Sequence, residues 1–198
     1  MGCDIHLYIE AKSDRYNKDR WVCIDNWILN PYYEKDNDEK YEHRSLYSHR
    51  DYRLFATLAD VRNNSSNPVI SQPKGLPNDC SDVIKAESDE YGADGHSHSY
   101  LTLAELINFR NVHPGTKYSG MVSPENAKIL DAGGDIDSWC LSTSDQSHVY
   151  REWSRPKSPL DELIKTVQQH ALNLYLVYVE NDLYKIVNDV RIVFWFDN

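Results

Sequence analysis

The chain ends with the stretch Val190-Arg-Ile-Val-Phe-Trp-Phe196, which is followed by Asp197. Successive side chains of an extended backbone point to opposite faces, and in this stretch both faces carry apolar residues. Such a run predicts a β-strand that is covered on both sides, which is the position of an interior strand in a sheet. We expect Asp197 to lie at the end of this strand, at or near a cleft.

The beginning of the chain predicts the strand that would lie beside it. Residues 3–10 alternate, with apolar side chains on one face and Asp4 and His6 on the other, and residues 21–24 predict a second strand. The polar stretch Asp14–Asp19 fits a hairpin loop between them. We expect the first and last strands to be neighbours in one sheet. The apolar face of the first strand carries Cys3, Ile5, Leu7 and Ile9.

Four segments between the terminal strands carry helix signals. The best specified begins at Thr102, which forms a capping box with Glu105. A helix from Asp51 carries an apolar stripe and is stopped by the sequence Asn-Asn-Ser-Ser-Asn-Pro at residues 63–68. The other two begin at Ser123-Pro124 and at Ser158-Pro159, each with a serine N-cap and proline in the first helical position.

Other segments lack a clear period. Residues 175–180 fit helix and strand equally, and residues 71–95 predict a long connection, a type of segment that is often functional. The charged stretch Glu34–Glu39 is typical of a solvated loop. Taken together, the pattern predicts a single α+β domain over residues 1–198. It would have a mixed or antiparallel sheet containing both terminal strands, with three to four helices packed on it.

Composition limits the classes of function. The chain has 198 residues, and its net charge of −10 comes from 31 acidic and 21 basic residues. Because no run of Lys and Arg is present, we expect no nucleic-acid partner. The four cysteines show no C-x-x-C spacing, which is typical of reduced thiols in the cytoplasm. No apolar run approaches the roughly 18 residues of a membrane span, and His6 occupies the position where a myristoylation motif has Ser or Thr. Oligomeric state is left open.

The segment Asp94-Gly-His96-Ser-His98-Ser99 is the strongest candidate site. In an extended backbone, side chains at positions i and i+2 share a face, so His96 and His98 could converge on one ligand, as could Asp4 and His6. Imidazole and carboxylate groups held in this way are typical ligands of a divalent metal ion, zinc or manganese. The alternatives are solvent-facing loop histidines and the polar face of an amphipathic strand.

Further residues could complete such a site. Asp79 is either a turn carboxylate or a general base, and Arg62 and Lys74 are either surface charges or clamps for a substrate phosphate, with Ser99 beside them. Cys3 lies on the apolar face of its strand, so a small buried side chain fits it better than a nucleophile does.

The string Asp94–Ser99 resembles the opening motif of the polymerase-and-histidinol-phosphatase phosphoesterases, whose histidines bind catalytic metals. The resemblance covers six residues of 198, lies in the middle of the chain, and is not accompanied by the later metal-ligand motifs of that family.

A second resemblance runs from end to end. It rests on Met1–His6, Tyr52–Asn63, Gly75–Asp79, Asp94–Ser99 with Leu101–Glu105, and Val190–Asn198, which look like an uncharacterised family of phage and prophage proteins. In that family Arg often stands where this chain has Lys74, and Trp where it has Tyr100. The resemblance implies an accessory role in the cytoplasm of an infected bacterium. The residues that match the polar motifs of the family are Asp4, His6, Asp79, His96 and His98.

The leading hypothesis is a metal-dependent hydrolase of a phosphorylated small molecule, a nucleotide or a nucleotide-type defence signal. His6, His96 and His98 would bind the metal together with Asp4 or Asp79, and the remaining carboxylate would act as base. The rival hypothesis is a non-catalytic phage protein that inactivates a host protein or sequesters a ligand. The two differ in whether a bound metal and turnover are found.

Overall fold

A computed structural model describes residues 2–13, 17–34, 40–186 and 189–197 of the chain. In these residues the chain forms five helices and ten strands, so the α+β class is confirmed, with a helix more than expected. The helices are α1 (Tyr52–Ala59), α2 (Asp82–Tyr91), α3 (Leu103–Val112), α4 (Pro124–Asp131) and α5 (Asp161–Asn173). The strands are β1 (Asp4–Ser13), β2 (Asn17–Cys23), β3 (Asn26–Leu29), β4 (Tyr41–Arg44), β5 (His96–Thr102), β6 (Thr116–Val122), β7 (Val149–Arg155), β8 (Val177–Glu180), β9 (Leu183–Ile186) and β10 (Asp189–Asp197).

The two terminal strands lie side by side in the main sheet, as predicted. Its strand order is β2-β1-β10-β5, and all three strand pairs are antiparallel. The register of β1 and β10 runs from Asp4 opposite Asp197 to Lys12 opposite Asp189. The last strand is therefore an interior strand, and Asp197 lies beside the polar start of the first.

Both faces of β10 are covered. One face carries Ile192, Phe194 and Phe196, which pack in a core with apolar side chains of α1, α3 and α5. The opposite face carries Val193 and Trp195, which pack with Tyr8 of β1 and Ile84 of α2. Full burial of side chains of this size contributes roughly 1.5–3 kcal/mol each, so this strand is the centre of the hydrophobic stabilisation.

The predicted helix starts are confirmed at three of four places. Asp51 caps α1, Ser123 caps α4 with Pro124 in the first turn, and the capping box of Thr102 and Glu105 is formed at α3. The last helix begins later than expected, at Asp161. Its predicted cap, Ser158, instead accepts a hydrogen bond from Leu160 N at 3.3 Å within a preceding turn.

Other boundaries also differ. Residues 71–95 were predicted to be a connection without periodic structure, but they contain α2. Only Ile84 of this helix is buried, so the sequence of the helix shows little apolar periodicity. Most of the ambiguous segment 175–180 is a strand, β8. Tyr175, which has a φ of 60°, lies between the end of α5 and the start of this strand. Of the predicted loops, residues 14–16 and 35–39 lie outside the described residues, whereas residues 17–19 belong to β2. Within the described part of the chain, no helix is long and apolar enough to cross a membrane.

Replacement of Thr102 by Ala should lower the free energy of unfolding by about 1 kcal/mol. The Thr102 hydroxyl accepts a hydrogen bond from Glu105 N at 3.1 Å, and the substitution leaves this N–H without its partner. Urea unfolding of the variant and of Thr102→Ser, which retains the hydroxyl, measures the difference. An alanine variant as stable as the parent would contradict the capping role.

Candidate functional site: a histidine cluster and an arginine cavity

The structure gathers some of the predicted site residues around Trp195, near the end of β10. The ring centroids of His6, Tyr91 and His98 lie 5.9, 5.8 and 5.4 Å from that of Trp195. Gly95 allows this approach, because a Cβ atom there would lie 3.3 Å from His98 Cε1 and 3.4 Å from Trp195 Cδ1. We call His6, Tyr91, His98, Trp195 and Asp197 the Trp195 cluster.

A β-bulge separates His96 from His98. Along β5, three residue steps from His96 to Ser99 oppose two steps of β10, and Ser97 in the bulge has a φ of 54°. His96 is therefore paired with Phe196 and lies on the face covered by α1, α3 and α5, whereas His98 stacks on Trp195 on the opposite face. The shared face expected for an H-x-H pair does not hold across the bulge.

The histidines differ in their partners. The Nε2 of His98 is 2.9 Å from Ser88 Oγ, and burial, with a smaller effect of His96, lowers the pKa of His98. The Nε2 of His6 lies 3.2 Å from Asp197 Oδ2 without the alignment of a hydrogen bond. The Nε2 of His96 is buried and has no hydrogen-bond partner among the described residues. The lowered pKa favours the neutral form of His98, whereas the Nε2 atoms of His6 and His96 lack a hydrogen-bond partner among the described residues.

Asp4 is paired with a cation rather than directed at these rings. The guanidinium of Arg50 donates to Asp4 from Nε at 2.8 Å and from Nη2, and this hydrogen bonding lowers the pKa of Asp4. Among the residues that the structure describes, no group of three or more His, Cys, Asp or Glu side chains is placed to hold a metal ion.

Asp79 lies at the other end of the sheet, next to a buried ion pair. Arg191 donates from Nη1 to Asp79 at 3.0 Å and from Nε to Glu10 at 2.8 Å, and the side chains of Arg191 and Glu10 are 4% and 0% exposed. Glu10 is six residues from Asp4 along β1, a distance of roughly 20 Å in a strand. Asp79 therefore does not join the histidines.

Lys74 and Ser99 connect the loop after α1 to β5. Ser99 is fully buried and accepts a hydrogen bond from Lys74 N at 3.3 Å. The ammonium group of Lys74 lies 3.3 Å from Glu105 Oε1 and 5.0 Å from the centre of the Tyr100 ring. These contacts hold the loop in place, and the ammonium group of Lys74 is already paired with Glu105.

Arg62 lies in a different environment, at a cavity of about 150 Å³ that we call the arginine cavity. Arg53 in the first turn of α1 supplies a second guanidinium, and no Asp or Glu of the described part of the chain is among the lining residues. The lining residues are Tyr52, Arg53, Ala56, Arg62, Asn63, Asn64, Ser65, Asn67, Tyr118, Ser119, Trp139 and Leu141.

The walls of the arginine cavity are fixed by polar contacts. The Asn67 side chain donates to Lys117 O at 3.0 Å and accepts from Lys117 N at 2.8 Å, which joins the loop after α1 to β6. Arg53 Nη2 lies 2.9 Å from Asp51 Oδ1, and the Arg53 guanidinium carbon is 5.2 Å from the centre of the Tyr118 ring. The Arg62 guanidinium carbon lies 5.1 Å from the centre of the Tyr52 ring. The cationic groups are therefore positioned before any ligand arrives.

A larger cavity, of about 380 Å³, lies beside Asp79 between Trp21 and the start of α2. It is lined by Arg20 together with two carboxylates, Asp79 and Asp82, and by the thiols of Cys23 and Cys80. Burial raises the pKa of both thiols, that of Cys23 to about 12, so neither is an activated nucleophile. Cys3 is fully buried in the main core, as expected.

Two important polar pairings were missed by the sequence analysis. Arg191 and Glu10 form the buried ion pair, and a charged residue within an otherwise apolar strand was a signal that a partner had to exist. Asp25 accepts from Ile9 N at 3.1 Å and lies 2.8 Å from His43 Nε2, a contact that joins β4 to the main sheet. Nothing in the sequence around Asp25 or His43 indicates this pairing.

Three comparisons with known proteins give no match: no family model, no curated protein and no solved structure is similar to this chain. The function is therefore inferred from the positions and the chemistry of the residues themselves.

Replacement of Arg191 by Met should lower the free energy of unfolding by roughly 3–5 kcal/mol, because it leaves Glu10 as an unpaired buried charge. Denaturant unfolding measures the loss. The control is Arg110→Met, which breaks the surface pair of Arg110 with Asp161 and should change stability by less than about 1 kcal/mol. Equal effects of the two substitutions would show that the buried pair has no special role.

Proposed function

We propose that this protein binds a phosphorylated small molecule in the arginine cavity. The observation that carries the proposal is the charge of the cavity wall: among the described residues it has two arginines and no Asp or Glu, in a chain with 31 acidic and 21 basic residues. A guanidinium group matches two phosphate oxygens with parallel N–H donors, and side-chain amides and hydroxyls supply further donors. The wall provides guanidinium groups from Arg53 and Arg62 and a side-chain amide from Asn64.

The rigidity of the cavity supports tight binding. Arg53 is held by Asp51 and by the Tyr118 ring, and Asn67 fixes the loop that carries Arg62. Groups that are already ordered lose little conformational entropy when a ligand binds, so more of the interaction free energy appears as affinity.

The resemblance to phage and prophage proteins supports a setting for this activity. In the cytoplasm of an infected bacterium, a phage accessory protein that captures a phosphorylated molecule would lower its free concentration for the host. Inactivation of a host protein remains the rival within the same setting. Capture of a small ligand is favoured because a formed cavity of suitable charge is present.

Replacement of Arg62 by Gln should weaken the binding of inorganic phosphate at least about tenfold, because a hydrogen bond to a charged group contributes roughly 1.5–3 kcal/mol. Isothermal titration calorimetry at low ionic strength measures the dissociation constants. The matched control is Arg151→Gln, which removes an arginine that pairs with Asp131 outside the cavity. No phosphate binding by the parent, or equal weakening by both substitutions, would refute the proposal.

Metal-dependent hydrolysis is the second candidate. It is favoured by the buried Nε2 atoms of His6 and His96, which lack hydrogen-bond partners among the described residues. With His98 they would be the ligands, and a zinc or manganese ion would supply an activated water molecule. The separation of His96 and His98 by the bulge weighs against a shared ion, so this candidate ranks below ligand binding.

Elemental analysis of protein purified without a His tag or chelator tests the second candidate. A metal site predicts close to one equivalent of zinc or manganese, and its loss in the double variant His96→Ala with His98→Ala. The variant His49→Ala, whose side chain is largely exposed, should retain the metal. Metal content near zero in the parent protein would eliminate this candidate and leave the binding proposal intact.

A further inference from the structure

A second cavity adjoins the arginine cavity and shares two of its lining residues, Arg53 and Tyr118. It has a volume of about 200 Å³, and we call it the mixed-charge cavity. Its lining residues are Tyr47, Asp51, Arg53, Thr116, Tyr118, Arg155, Lys157, Ser158, Pro159 and Glu162.

The charges of the two cavities assign different parts of a ligand to them. Among the described residues, the lining of the arginine cavity has two arginines and no Asp or Glu, although Arg53 also pairs with Asp51. In the mixed-charge cavity Asp51 and Glu162 lie beside Arg53, Arg155 and Lys157 and would repel a phosphate, so a phosphate group fits the arginine cavity better. A carboxylate instead accepts hydrogen bonds from hydroxyl groups, which is how acidic residues hold the ribose hydroxyls of bound nucleotides. The mixed-charge cavity therefore suits a neutral part of the ligand that is rich in hydroxyl groups.

Glu162 is the carboxylate that is available for this role. Asp51 is already engaged as the cap of α1, where it accepts from Arg53 N at 2.9 Å, and it also pairs with the Arg53 guanidinium. The Glu162 side chain is 58% exposed, and its nearest ionic contact is with His49 Nε2 at 3.5 Å, at the outer limit of a hydrogen bond. A hydroxyl group could bind Glu162 without breaking a contact that the fold needs.

Size and aromatic surface support a ligand that extends across both cavities. Ligand pockets usually have volumes of roughly 300–1,000 Å³, so neither cavity alone would enclose a metabolite, whereas the two together reach the lower end of that range. Tyr118 lines both of them, and Arg53 and Arg155 lie 5.2 and 4.8 Å from the centre of its ring. A ligand that occupies both cavities would contact Arg53 and Tyr118, which line both, and would have Arg62 at its phosphate end and Glu162 at its hydroxyl end.

We infer that the ligand is a pentose phosphate, either free or as part of a nucleotide, with its phosphate in the arginine cavity and its sugar hydroxyls on Glu162. This inference rests on the proposed function, because it requires phosphate binding in the arginine cavity. It adds a role for Glu162 that the phosphate alone does not require.

Calorimetric titrations of the full chain with inorganic phosphate, ribose 5-phosphate and adenosine monophosphate test the inference. Ribose 5-phosphate should bind at least tenfold more tightly than inorganic phosphate. Tighter binding of adenosine monophosphate than of ribose 5-phosphate supports a nucleotide as the source of the pentose phosphate. Equal binding of the two supports a free sugar phosphate.

The variant Glu162→Gln gives the decisive comparison. It should reduce the preference for ribose 5-phosphate over inorganic phosphate several-fold. Glu125→Gln removes the same charge from the first turn of another helix, away from both cavities, and should leave the preference unchanged. Phosphate binding without a preference for the sugar phosphate, or a preference that survives Glu162→Gln, overturns the inference while the proposed function stands. Absence of all phosphate binding refutes both.

Discussion

The structure depends on the burial of β10 on both faces. An apolar strand of this kind needs a neighbour on each edge and a layer on each side, and the chain supplies β1 and β5 as neighbours. Helices α1, α3 and α5 cover one face. The second layer is built from α2 and residues of the preceding loop, so a segment with little apolar periodicity is held in place by the strand that it covers.

Covering the second face also buries the polar side of β1, and this determines the polar contacts of the molecule. Tyr8 donates to Glu87 of α2 at 2.9 Å, and Glu10 accepts from Ser81 N at 2.6 Å and pairs with Arg191. These polar groups have partners within the protein because burial separates them from water, whereas the buried Nε2 of His6 on the same side lacks a hydrogen-bond partner among the described residues. The Trp195 cluster lies near the end of the same face, where burial lowers the pKa of His98.

The features that could be predicted from the sequence are those encoded by neighbouring residues. Alternation identified the terminal strands, and the Thr102–Glu105 spacing identified the start of α3, because both signals lie within a few positions. Helix α2 carries a single fully buried residue and gave no such signal. The bulge at Ser97 depends on pairing with β10, so the sequence of β5 alone indicated a shared face for His96 and His98 that does not exist.

The arginine cavity was missed for a related reason. A search for runs of Lys and Arg finds none, because the two guanidinium groups of this cavity come from different segments, Arg53 from α1 and Arg62 from the loop after it. The tertiary structure brings together positive charges that are separated in the sequence. The negative net charge of the chain gives no indication of such a local positive site. The composition therefore argues against an extended nucleic-acid-binding surface, but it does not predict whether a small anion-binding site is present.

Arg62 connects this cavity to the first strand of the sheet. Its guanidinium contacts the Cys3 thiol. Burial raises the pKa of this thiol although the contact with Arg62 opposes the rise. Cys3 is followed in the chain by Asp4, which is paired with Arg50. An anion in the arginine cavity would thus bind beside the strand pair on which the rest of the fold depends. A ligand that binds only the folded state stabilises that state. Binding in the cavity should therefore stabilise the β1–β10 pair as well as the loop that carries Arg62.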